Sequence, residues 1–330
     1  MENPSSGRLR FDPWSCSLED FHSADPGMAR CLELAGIAAR TDLPILILGE
    51  SGTGKTLLAR AIHNSSSRAR GPFVSFNGAA LSDTLLDSQL FGHEKGAFTG
   101  AQQRLKGKFE LADGGTLFLD EIADMTPLAQ AKILRAVEYG EFERLGSERL
   151  QKADVRLISA THLPLKRFLE TDEFRKDLFY RINGLTLTVA PLRERPRDLR
   201  SLVAAQIARA AEREGKAITG LSTAAADRLF TYSWPGNLRE LDRVLRAAVA
   251  MTSGSVIDVE ALILNGMSAS GSIAPDRRDE PPGNGNGTAN LKTMERRHIH
   301  HVLESLGGNK ARAARALGIS RSTLDRKLDS

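Results

Sequence analysis

The sequence predicts an α/β fold built on a parallel sheet flanked by helices, followed by a helical subdomain and a small all-α domain. Short apolar runs alternate with helical patterns from residue 25 to about residue 190. Residues 191–265 are rich in Ala, Leu and Arg without a strand pattern, and residues 291–330 are again helical in pattern. Strands that alternate with helices are typical of a parallel sheet covered on both faces.

Five segments of the first region are predicted to be strands, because each is a short run rich in apolar or β-branched residues. They are Ile45–Leu48, Phe73–Phe76, Thr116–Leu119, Val155–Ile158 and Leu185–Val189. Longer segments between them, Thr56–Ser66 and Pro127–Tyr139, are predicted to be helices.

The chain is predicted to divide into five parts. A short tail covers 1–24, the α/β subdomain 25–190 and the helical subdomain 191–265. Residues 266–290 hold Gly, Ser, Pro or Asn at 14 of 25 positions, which indicates a flexible linker. The C-terminal domain then covers 291–330.

Composition excludes several classes of protein. Two cysteines, Cys16 and Cys31, cannot build a disulfide framework or a four-ligand zinc site. A reducing cytosol fits these two cysteines best, so a cytoplasmic protein is expected. No apolar run is long enough to span a bilayer and the N-terminus does not begin a signal peptide, so no membrane partner is expected. The net charge of +4 is small, but residues 291–330 hold nine Lys or Arg against four Asp or Glu. The excess positive charge therefore lies at the C-terminus.

A phosphate-binding loop follows the first predicted strand. The pattern G-x-x-x-x-G-K-[ST] is matched in full by Gly49, Glu50, Ser51, Gly52, Thr53, Gly54, Lys55 and Thr56. Glycines let the backbone fold so that its N–H groups face phosphate oxygens, and the helix that follows adds partial positive charge at its N-terminus. Lys55 would reach the β- and γ-phosphates of ATP, and Thr56 would hold Mg²⁺.

An acidic pair, Asp120-Glu121, follows the predicted strand Thr116–Leu119. The carboxyl end of a parallel strand faces the crevice where ligands bind. By itself such a pair is more often a helix cap, but beside a phosphate-binding loop it indicates catalysis. Asp120 would complete the Mg²⁺ shell through water, and Glu121 would polarise the attacking water.

With these two sites in place, the chain resembles the AAA+ activators of sigma-54 RNA polymerase, also called bacterial enhancer-binding proteins. The resemblance runs from about residue 25 to 330 and rests on GESGTGKT (49–56), FGHEKGAFTGA (91–101), GGTLFLDEI (114–122), FRKDLFYRI (174–182), PLRERPRDL (191–199) and WPGNLRELDRV (234–244). The hexapeptide GAFTGA is close to diagnostic, because other AAA+ classes share the phosphate loop and the acidic pair but lack this insertion. The resemblance implies an AAA+ P-loop NTPase fold with a helical lid at 191–265.

The resemblance also implies two positions that respond to the nucleotide. Asn77 matches the residue that restrains the catalytic glutamate until ATP is sensed; the alternative is a turn-forming Asn after a strand. Thr161 and His162 occupy the sensor I position. Both Asn and His occur there in the family, which leaves the role of His162 as a γ-phosphate sensor open.

Three arginines complete the site that the resemblance implies. Arg175 and Arg181 match two arginine fingers that act on the nucleotide of a neighbouring subunit, where they would stabilise charge developing on the γ-phosphoryl group. Arg239 matches sensor II, which couples the lid to the nucleotide. From the residues alone, each would be an ordinary surface arginine.

The GAFTGA loop is formed by Gly96, Ala97, Phe98, Thr99, Gly100 and Ala101. Glycines on both sides of Phe98 allow a hairpin tip to swing, and an apolar tip suits a partner's surface. The resemblance implies that Phe98 and Thr99 contact sigma-54. The alternative is a tight turn that tucks Phe98 into the core.

The C-terminal segment predicts a helix-turn-helix, with one helix over Asn309–Leu317, a turn at Gly318–Ser320 and a second helix over Arg321–Leu328. Ala313 and Ala314 allow close helix packing, and Ile319 and Leu324 can seal the small core. Side chains suited to phosphate and base-edge contacts are Arg321, Ser322, Thr323, Arg326 and Lys327. The pattern resembles the Fis-type domain that ends these activators; a basic helical hairpin for dimerisation is the alternative.

The resemblance therefore implies an ATP-dependent activator that forms a ring, expected to be a hexamer, from copies of itself or with a related subunit. It would bind upstream enhancer DNA and remodel the closed complex of sigma-54 RNA polymerase. Because about 24 residues precede the ATPase module, the resemblance is to the subset without a receiver domain. That implies control by expression level, by a protein bound in trans or by co-assembly. The alternatives are an AAA+ protein remodeller or chaperone, and a DNA-binding regulator that does not act on sigma-54.

Overall fold

The computed structural model describes residues 15–78, 82–164, 170 and 174–264, together with Lys310, Ala314 and Leu324. The chain forms two compact units, residues 1–270 and residues 271–330. The strands of the described part are β1 (Ile45–Leu48), β2 (Phe73–Asn77), β3 (Gly92–His93), β4 (Leu105–Lys106), β5 (Thr116–Asp120), β6 (Glu141–Glu143), β7 (Leu150–Lys152), β8 (Arg156–Thr161), β9 (Leu185–Thr188), β10 (Gly220–Leu221) and β11 (Val256–Ile257).

The helices of the same residues alternate with these strands in the first half of the chain. They are α1 (Pro26–Ala39), α2 (Lys55–Asn64), α3 (Asp83–Phe91), α4 (Lys108–Leu111), α5 (Pro127–Tyr139), α6 (Lys176–Ile182), α7 (Pro196–Glu214), α8 (Thr223–Thr231) and α9 (Asn237–Met251). The structure thus confirms the predicted α/β fold. Each of the five predicted strands begins within one residue of the start of an observed strand.

The central sheet has five parallel strands in the order β2-β5-β8-β1-β9. Because all five point the same way, their carboxyl ends meet at one edge. At that edge Asn77 pairs in register with Asp120, and Leu48 pairs with Thr161. Strand β8 extends to Thr161, beyond the predicted end at Ile158, because all six of its residues are buried between two strands.

Two hydrophobic clusters cover the two faces of the sheet. Alternate residues of one strand enter opposite clusters: Leu46 faces one, while Ile45 and Ile47 face the other. Strand β5 divides in the same way, with Leu117 and Leu119 on one side and Phe118 on the other. This alternation explains why the central strands read as continuous apolar runs in the sequence.

Local signals set the ends of helix α5. The Thr126 hydroxyl accepts a hydrogen bond from the Ala129 N–H at 3.4 Å, Pro127 occupies the first turn, and Gly140 ends the helix with φ 69°. These are the N-cap, N1 and C-cap preferences of an α-helix, so the observed span matches the predicted one.

The lid has its own hydrophobic core around Trp234, which is fully buried and donates its indole N–H to the Leu229 carbonyl at 3.0 Å. Helix α9 presents an apolar stripe that joins this core, formed by Leu241, Val244, Leu245, Ala248 and Val249. The sequence predicts no strand in this region, but β10 and β11 form a short parallel pair. Two residues in each strand are too few to leave a periodic signal.

The sequence predicts a tail over 1–24, but its described part, residues 15–24, packs against the ATPase fold. The Leu18 N–H donates to the Ser65 hydroxyl at 2.9 Å, and the Asn64 side chain donates to the Cys16 carbonyl at 2.7 Å. Further along, the Ser23 hydroxyl and the Ala24 N–H both donate to the carboxylate of Asp198. This segment therefore joins helix α2 to the lid.

In the second unit, the structure describes Lys310 as exposed and Ala314 and Leu324 as buried, each in a helical conformation. The predicted linker 266–290 and the five predicted DNA-contact residues lie outside the described residues. Among the residues that are described, no helix combines the length and the apolar character needed to cross a membrane.

Candidate functional site

The phosphate-binding loop lies between β1 and α2, as the motif requires. Helix α2 begins at Lys55, directly after Gly54 in a left-handed conformation. The ammonium of Lys55 donates to the carbonyl of Gly49 at 2.8 Å and to that of Glu50 at 3.2 Å. The same ammonium lies 3.7 Å from Oε1 of Glu121. Lys55 therefore joins the phosphate loop to the acidic pair, although only 6% of its side chain is exposed.

Asp120 ends strand β5, and Glu121 follows it in the chain. Burial raises the pKa of Asp120, and the neighbouring charge of Glu121 raises it further. A desolvated carboxylate of this kind gains most from a cation placed beside it. Thr56 exposes its side chain in the first turn of α2 and lines the same cavity as Asp120. A hydroxyl and a carboxylate are oxygen donors of the kind Mg²⁺ prefers, so the two predicted ligands fit that ion.

The catalytic candidate Glu121 stands in a left-handed backbone conformation, with φ 52° and ψ 50°. That conformation costs a non-glycine residue about 1–2 kcal/mol. His162 holds the side chain in place: its Nδ1 lies 2.6 Å from Oε2 of Glu121, and its backbone N–H donates to the same oxygen at 3.1 Å. The structure thus brings His162, at the end of β8, to the predicted base.

The carboxyl edge of the sheet also holds the other predicted sensors. Thr161 is buried at the end of β8, and its hydroxyl accepts a hydrogen bond from the Leu163 N–H at 3.1 Å. Asn77 is exposed at the end of β2, in register with Asp120. Its role in restraining Glu121 stays a prediction.

A cavity of about 230 Å³ joins the phosphate loop, the acidic pair and the lid. Its lining includes Lys55, Thr56, Asp120, Glu121 and Arg239. A larger cavity of about 570 Å³ adjoins it on the lid side, and the two share Ser51 and Arg239. The Arg239 guanidinium donates to the Ser51 hydroxyl at 3.0 Å, so the predicted sensor II residue stands where the two cavities meet.

The lid approaches the phosphate loop closely at Gly52. A Cβ added to Gly52 would lie 2.5 Å from the carbonyl oxygen of Gly236, and the φ of 79° is itself unfavourable for other residues. The Leu238 N–H donates to the Gly52 carbonyl at 3.0 Å. Glycine is therefore needed at position 52 so that the lid can approach the phosphate loop. The phosphate-loop pattern allows any residue at this position and does not reveal this need.

Arg175 and Arg181 lie at the two ends of α6 and are both exposed. The Arg175 guanidinium bonds to the carboxylate of Asp177 at 2.6 and 3.0 Å, and this contact holds the pKa of Asp177 below its ordinary value. Arg181 donates to the Val137 and Glu138 carbonyls at the end of α5. Neither arginine lines the nucleotide cavity of its own chain.

The GAFTGA residues lie on a hairpin formed by β3 and β4, with residues 94–104 as the connecting loop. The Gly96 N–H donates to the Ala101 carbonyl at 2.8 Å, and the Ala101 N–H donates to the Phe98 carbonyl at 3.0 Å. Thr99 and Gly100 are exposed. The sequence predicts a free apolar tip, but the Phe98 ring is half-buried edge-on against His93, with the ring centroids 5.0 Å apart.

The base of this loop is fixed by a second hairpin, β6–β7. The Glu94 N–H donates to the Leu145 carbonyl, and the Leu145 N–H donates to the Gly92 carbonyl, both at 3.0 Å. Arg144 is buried beside them and bonds to the carboxylates of Glu94 at 2.8 Å and Glu110 at 2.7 Å. The loop is therefore firmly held at its base and exposed at Thr99.

Comparison with known proteins identifies the family of each part of the chain. Residues 21–188 match the sigma-54 interaction domain, residues 193–275 the AAA+ ATPase lid domain, and residues 290–330 the Fis family of bacterial regulatory proteins. The chain belongs to the sigma-54-dependent transcriptional regulators. The AAA+ fold, the helical lid and the C-terminal helix-turn-helix predicted from the sequence are thereby confirmed.

Relatives of this regulator cover nearly all of its length. It is 46% identical over 303 residues to the transcriptional regulatory protein ZraR of Klebsiella oxytoca, an alignment that covers 92% of this chain and 67% of that protein. It is 41% identical over 310 residues to the Nif-specific regulatory protein of Klebsiella pneumoniae, covering 92% of this chain and 57% of that protein. The chain therefore spans between about half and two thirds of the length of these relatives.

A solved structure shares the fold of this regulator. NtrX from Brucella abortus in complex with ATP aligns with a TM-score of 0.70 and 31% identity, covering 94% of this chain and 68% of that one. The corresponding structure with ADP aligns with a TM-score of 0.69 and 33% identity. Membership of the AAA+ P-loop NTPases implies that this regulator is an ATPase.

Three functional residues at this site are not identified by the sequence motifs of the regulator. Arg193, Asn237 and Asp198 bind the lid to the rest of the ATPase unit, yet the sequence motifs assign no role to any of the three. Within these segments, the neighbouring residues give no signal of these contacts. The partner of each residue lies more than 140 positions away in the chain and cannot be read from the segment itself.

Proposed function

We propose that this regulator is an ATP-driven transcriptional activator that remodels the closed complex of sigma-54 RNA polymerase. The observation that carries the proposal is the exposure of Thr99 at the end of a hairpin whose base is fixed to the nucleotide-binding unit. A loop held in this way can transmit a change at its base to a partner at its tip. The match to the sigma-54 interaction domain supports sigma-54 as that partner.

The residues of the cavity support ATP hydrolysis. Backbone N–H groups of residues 49–54 would bind the phosphates, and Lys55 would exchange the Gly49 and Glu50 carbonyls for phosphate oxygens. Thr56 and Asp120 would hold Mg²⁺, which when bound neutralises charge on the β- and γ-phosphates. Glu121 would accept a proton from the attacking water, and the hydrogen bonds from His162 orient its carboxylate for that step.

Hydrolysis is proposed to occur between subunits of a ring. Arg175 and Arg181 are exposed on α6 and do not line their own cavity, which supports a role at the nucleotide of a neighbouring copy or of a related subunit. Each of Arg181→Ala and Glu121→Gln should lose ATPase activity alone. A mixture should regain part of it, because some interfaces then pair an intact finger with an intact base. Verified mixed rings that stay inactive would contradict this assignment.

The second unit is proposed to bind upstream DNA in the cytoplasm, through Arg321, Ser322, Thr323, Arg326 and Lys327. The Fis family match and the positive charge of residues 291–330 support this division of labour. Removal of residues 291–330 should abolish site-specific, salt-sensitive DNA binding and leave ATPase activity intact. Equal operator affinity in the truncated protein would refute it.

The decisive experiment compares ATPase rate and open-complex yield in Thr99→Ala. An exposed methyl and hydroxyl contribute little to folding, so ATPase activity should persist. Capture of sigma-54 with a transition-state mimic of ATP should fail, and promoter opening should fail with it. Gln103→Ala is the matched control, because Gln103 is exposed on the same loop outside the hexapeptide.

Promoter opening that survives in both Thr99→Ala and Phe98→Ala would contradict the proposal. A protein remodeller would then be favoured if ATP-dependent unfolding of another substrate persisted. A DNA-binding regulator independent of sigma-54 would be favoured if neither activity were found.

A further inference from the structure

Glu50, the second residue of the phosphate loop, faces the lid and not the nucleotide cavity. Arg193 donates two hydrogen bonds to its carboxylate, from Nη2 to Oε1 at 2.6 Å and from Nη1 to Oε2 at 2.8 Å. A bidentate arginine–carboxylate contact is both strong and directional. It holds the pKa of Glu50 below its ordinary value. Glu50 is absent from the lining of the cavity that contains Lys55 and Asp120.

Asn237 joins the same carboxylate from the interior of the lid. Its side chain is fully buried, and Oδ1 accepts a hydrogen bond from the Leu192 N–H at 2.8 Å. Nδ2 donates to Oε2 of Glu50 at 3.2 Å and to the Ser51 carbonyl at 3.1 Å. The φ of Asn237 is 51°, a left-handed conformation that asparagine tolerates better than most residues. Nδ2 therefore joins the lid to the phosphate loop, while Oδ1 fixes the side chain within the lid.

The residues that follow Asn237 continue the contact toward the nucleotide. Leu238 bonds to the Gly52 carbonyl through its backbone, and Arg239 bonds to the Ser51 hydroxyl. The lid thus contacts three consecutive residues of the phosphate loop, 50, 51 and 52. Arg239, which lines the cavity, therefore lies on the same lid segment as these contacts.

The exposure of the Arg193–Glu50 ion pair indicates that it positions the lid and adds little to folding stability. The side chains of Arg193 and Glu50 are 45% and 40% exposed. Ion pairs as exposed as this one add about 0–1 kcal/mol to folding stability. The contact is therefore weak as a stabilising element, yet it joins the two parts of the molecule that enclose the nucleotide.

We propose that Glu50, Arg193 and Asn237 form a latch that sets the lid on the phosphate loop and so places Arg239 at the nucleotide. The three are positioning residues, because they act through Arg239 and the loop backbone. The latch rests on the nucleotide binding of the proposed function, but it does not depend on sigma-54 or on DNA.

The test is a double-mutant cycle on the full chain with Arg193→Ala, Glu50→Ala and the two combined, read by equilibrium binding of a fluorescent ATP analogue. Each single variant should weaken binding about tenfold, the size expected when hydrogen bonds to a charged group are lost. The double variant should be no weaker than either single variant, because both substitutions open the same latch. Arg193→Lys should restore part of the affinity, since lysine supplies the charge without the fork.

A matched control uses the exposed ion pair between Arg30 and Glu33 on α1, which lies 2.5 Å apart and touches no part of the nucleotide cavity. Arg30→Ala should bind the analogue as the wild type does. The melting temperature of the nucleotide-free protein should stay within a few degrees in all variants, which separates a positioning role from a folding defect.

Two results would overturn the latch: unchanged affinity in the single variants, or single effects that multiply in the double variant. Because the measurement needs neither hydrolysis nor a promoter, it separates the two proposals. A failed cycle with normal promoter opening removes the latch alone. An intact cycle in a protein that opens no sigma-54 promoter removes the proposed function alone.

Discussion

The nucleotide site and the 94–104 loop belong to the same unit but are held in opposite ways. Around the phosphate loop, contacts come from several parts of the unit: Lys55 bonds to the Gly49 carbonyl, Glu121 after strand β5 lies near Lys55, and Arg239 of the lid bonds to Ser51. The 94–104 loop is bound through Glu94 at its base, while Thr99 is exposed.

This difference indicates that the two regions have separate roles. A site enclosed by hydrogen bonds fixes reacting groups in position, which is what phosphoryl transfer requires. A loop fixed only at its base can present its tip to a partner and change its direction when the base moves. Substitutions in the first region should therefore alter nucleotide chemistry, and those in the second should alter the coupling to a partner.

The largest effect is expected for Lys55→Ala, which removes the cation that joins the phosphate loop to Glu121. The variant should lose detectable binding of a fluorescent ATP analogue, because no other group replaces the buried ammonium beside the phosphates. Its open-complex yield should fall to background. Normal affinity in Lys55→Ala would mean that the enclosed region is not the nucleotide site.

Glu121→Gln should separate binding from turnover. The amide keeps the size of the side chain and an oxygen that can accept from the His162 N–H, so ATP binding should persist. Loss of the base should reduce kcat about 10³-fold, within the range for general-base catalysis. A steady-state ATPase assay measures this. Glu19→Gln is the control, because Glu19 is exposed and does not line the nucleotide cavity; an equal loss there would remove the assignment of Glu121.

Asp198→Ala should test how firmly the lid is attached. Burial opposes the charge of Asp198, but hydrogen bonds from Ser23, Ala24 and Arg195 outweigh it and hold the pKa below its ordinary value of 3.8. Removal of one partner from such a buried group should lower the free energy of unfolding by about 3 kcal/mol. Urea unfolding at pH 7 measures the loss.

The pH dependence of that loss follows from the direction of the shift. A carboxyl with a depressed pKa in the folded state stabilises the protein above its unfolded pKa, and this contribution disappears as the pH falls through the folded value. The gap in stability between wild type and Asp198→Ala should therefore be constant near neutral pH and narrow below about pH 4. A gap that widens in acid would contradict the assignment.

The smallest effect on stability is expected for Gly146→Ala. Gly146 lies between β6 and β7 and faces Ala97 of the 94–104 loop. The added Cβ would lie 2.8 Å from the Cβ of Ala97, and the φ is 76°. The strained backbone should cost about 1 kcal/mol, and the displaced Ala97 should reduce open-complex yield without changing the ATPase rate. Gly215→Ala is the control, because it has a φ of 63° and meets nothing within 4 Å. An equal loss of open complex in both variants would show that the contact with Ala97 is unimportant.

Much of the fold is predictable from local pattern. The apolar runs at residues 45–48 and 116–119 become buried parallel strands, and the Thr126, Pro127 and Gly140 signals bound helix α5. Local sequence pattern does not predict an element that is very short or that is held by contacts from distant residues. Strands β10 and β11 have two residues each, and residues 15–24 read as a tail because the bonds that fix them come from Asn64, Ser65 and Asp198.

The sequence by itself determined the parallel sheet, the phosphate loop, the acidic pair and the GAFTGA hexapeptide, because each is set by the spacing of neighbouring residues. Only the tertiary structure decided which distant side chains complete the site. His162 reaches Glu121 across 41 residues, and Arg193 reaches Glu50 across 143. Such pairs arise when strand order and lid packing bring remote segments together. No local periodicity encodes that proximity.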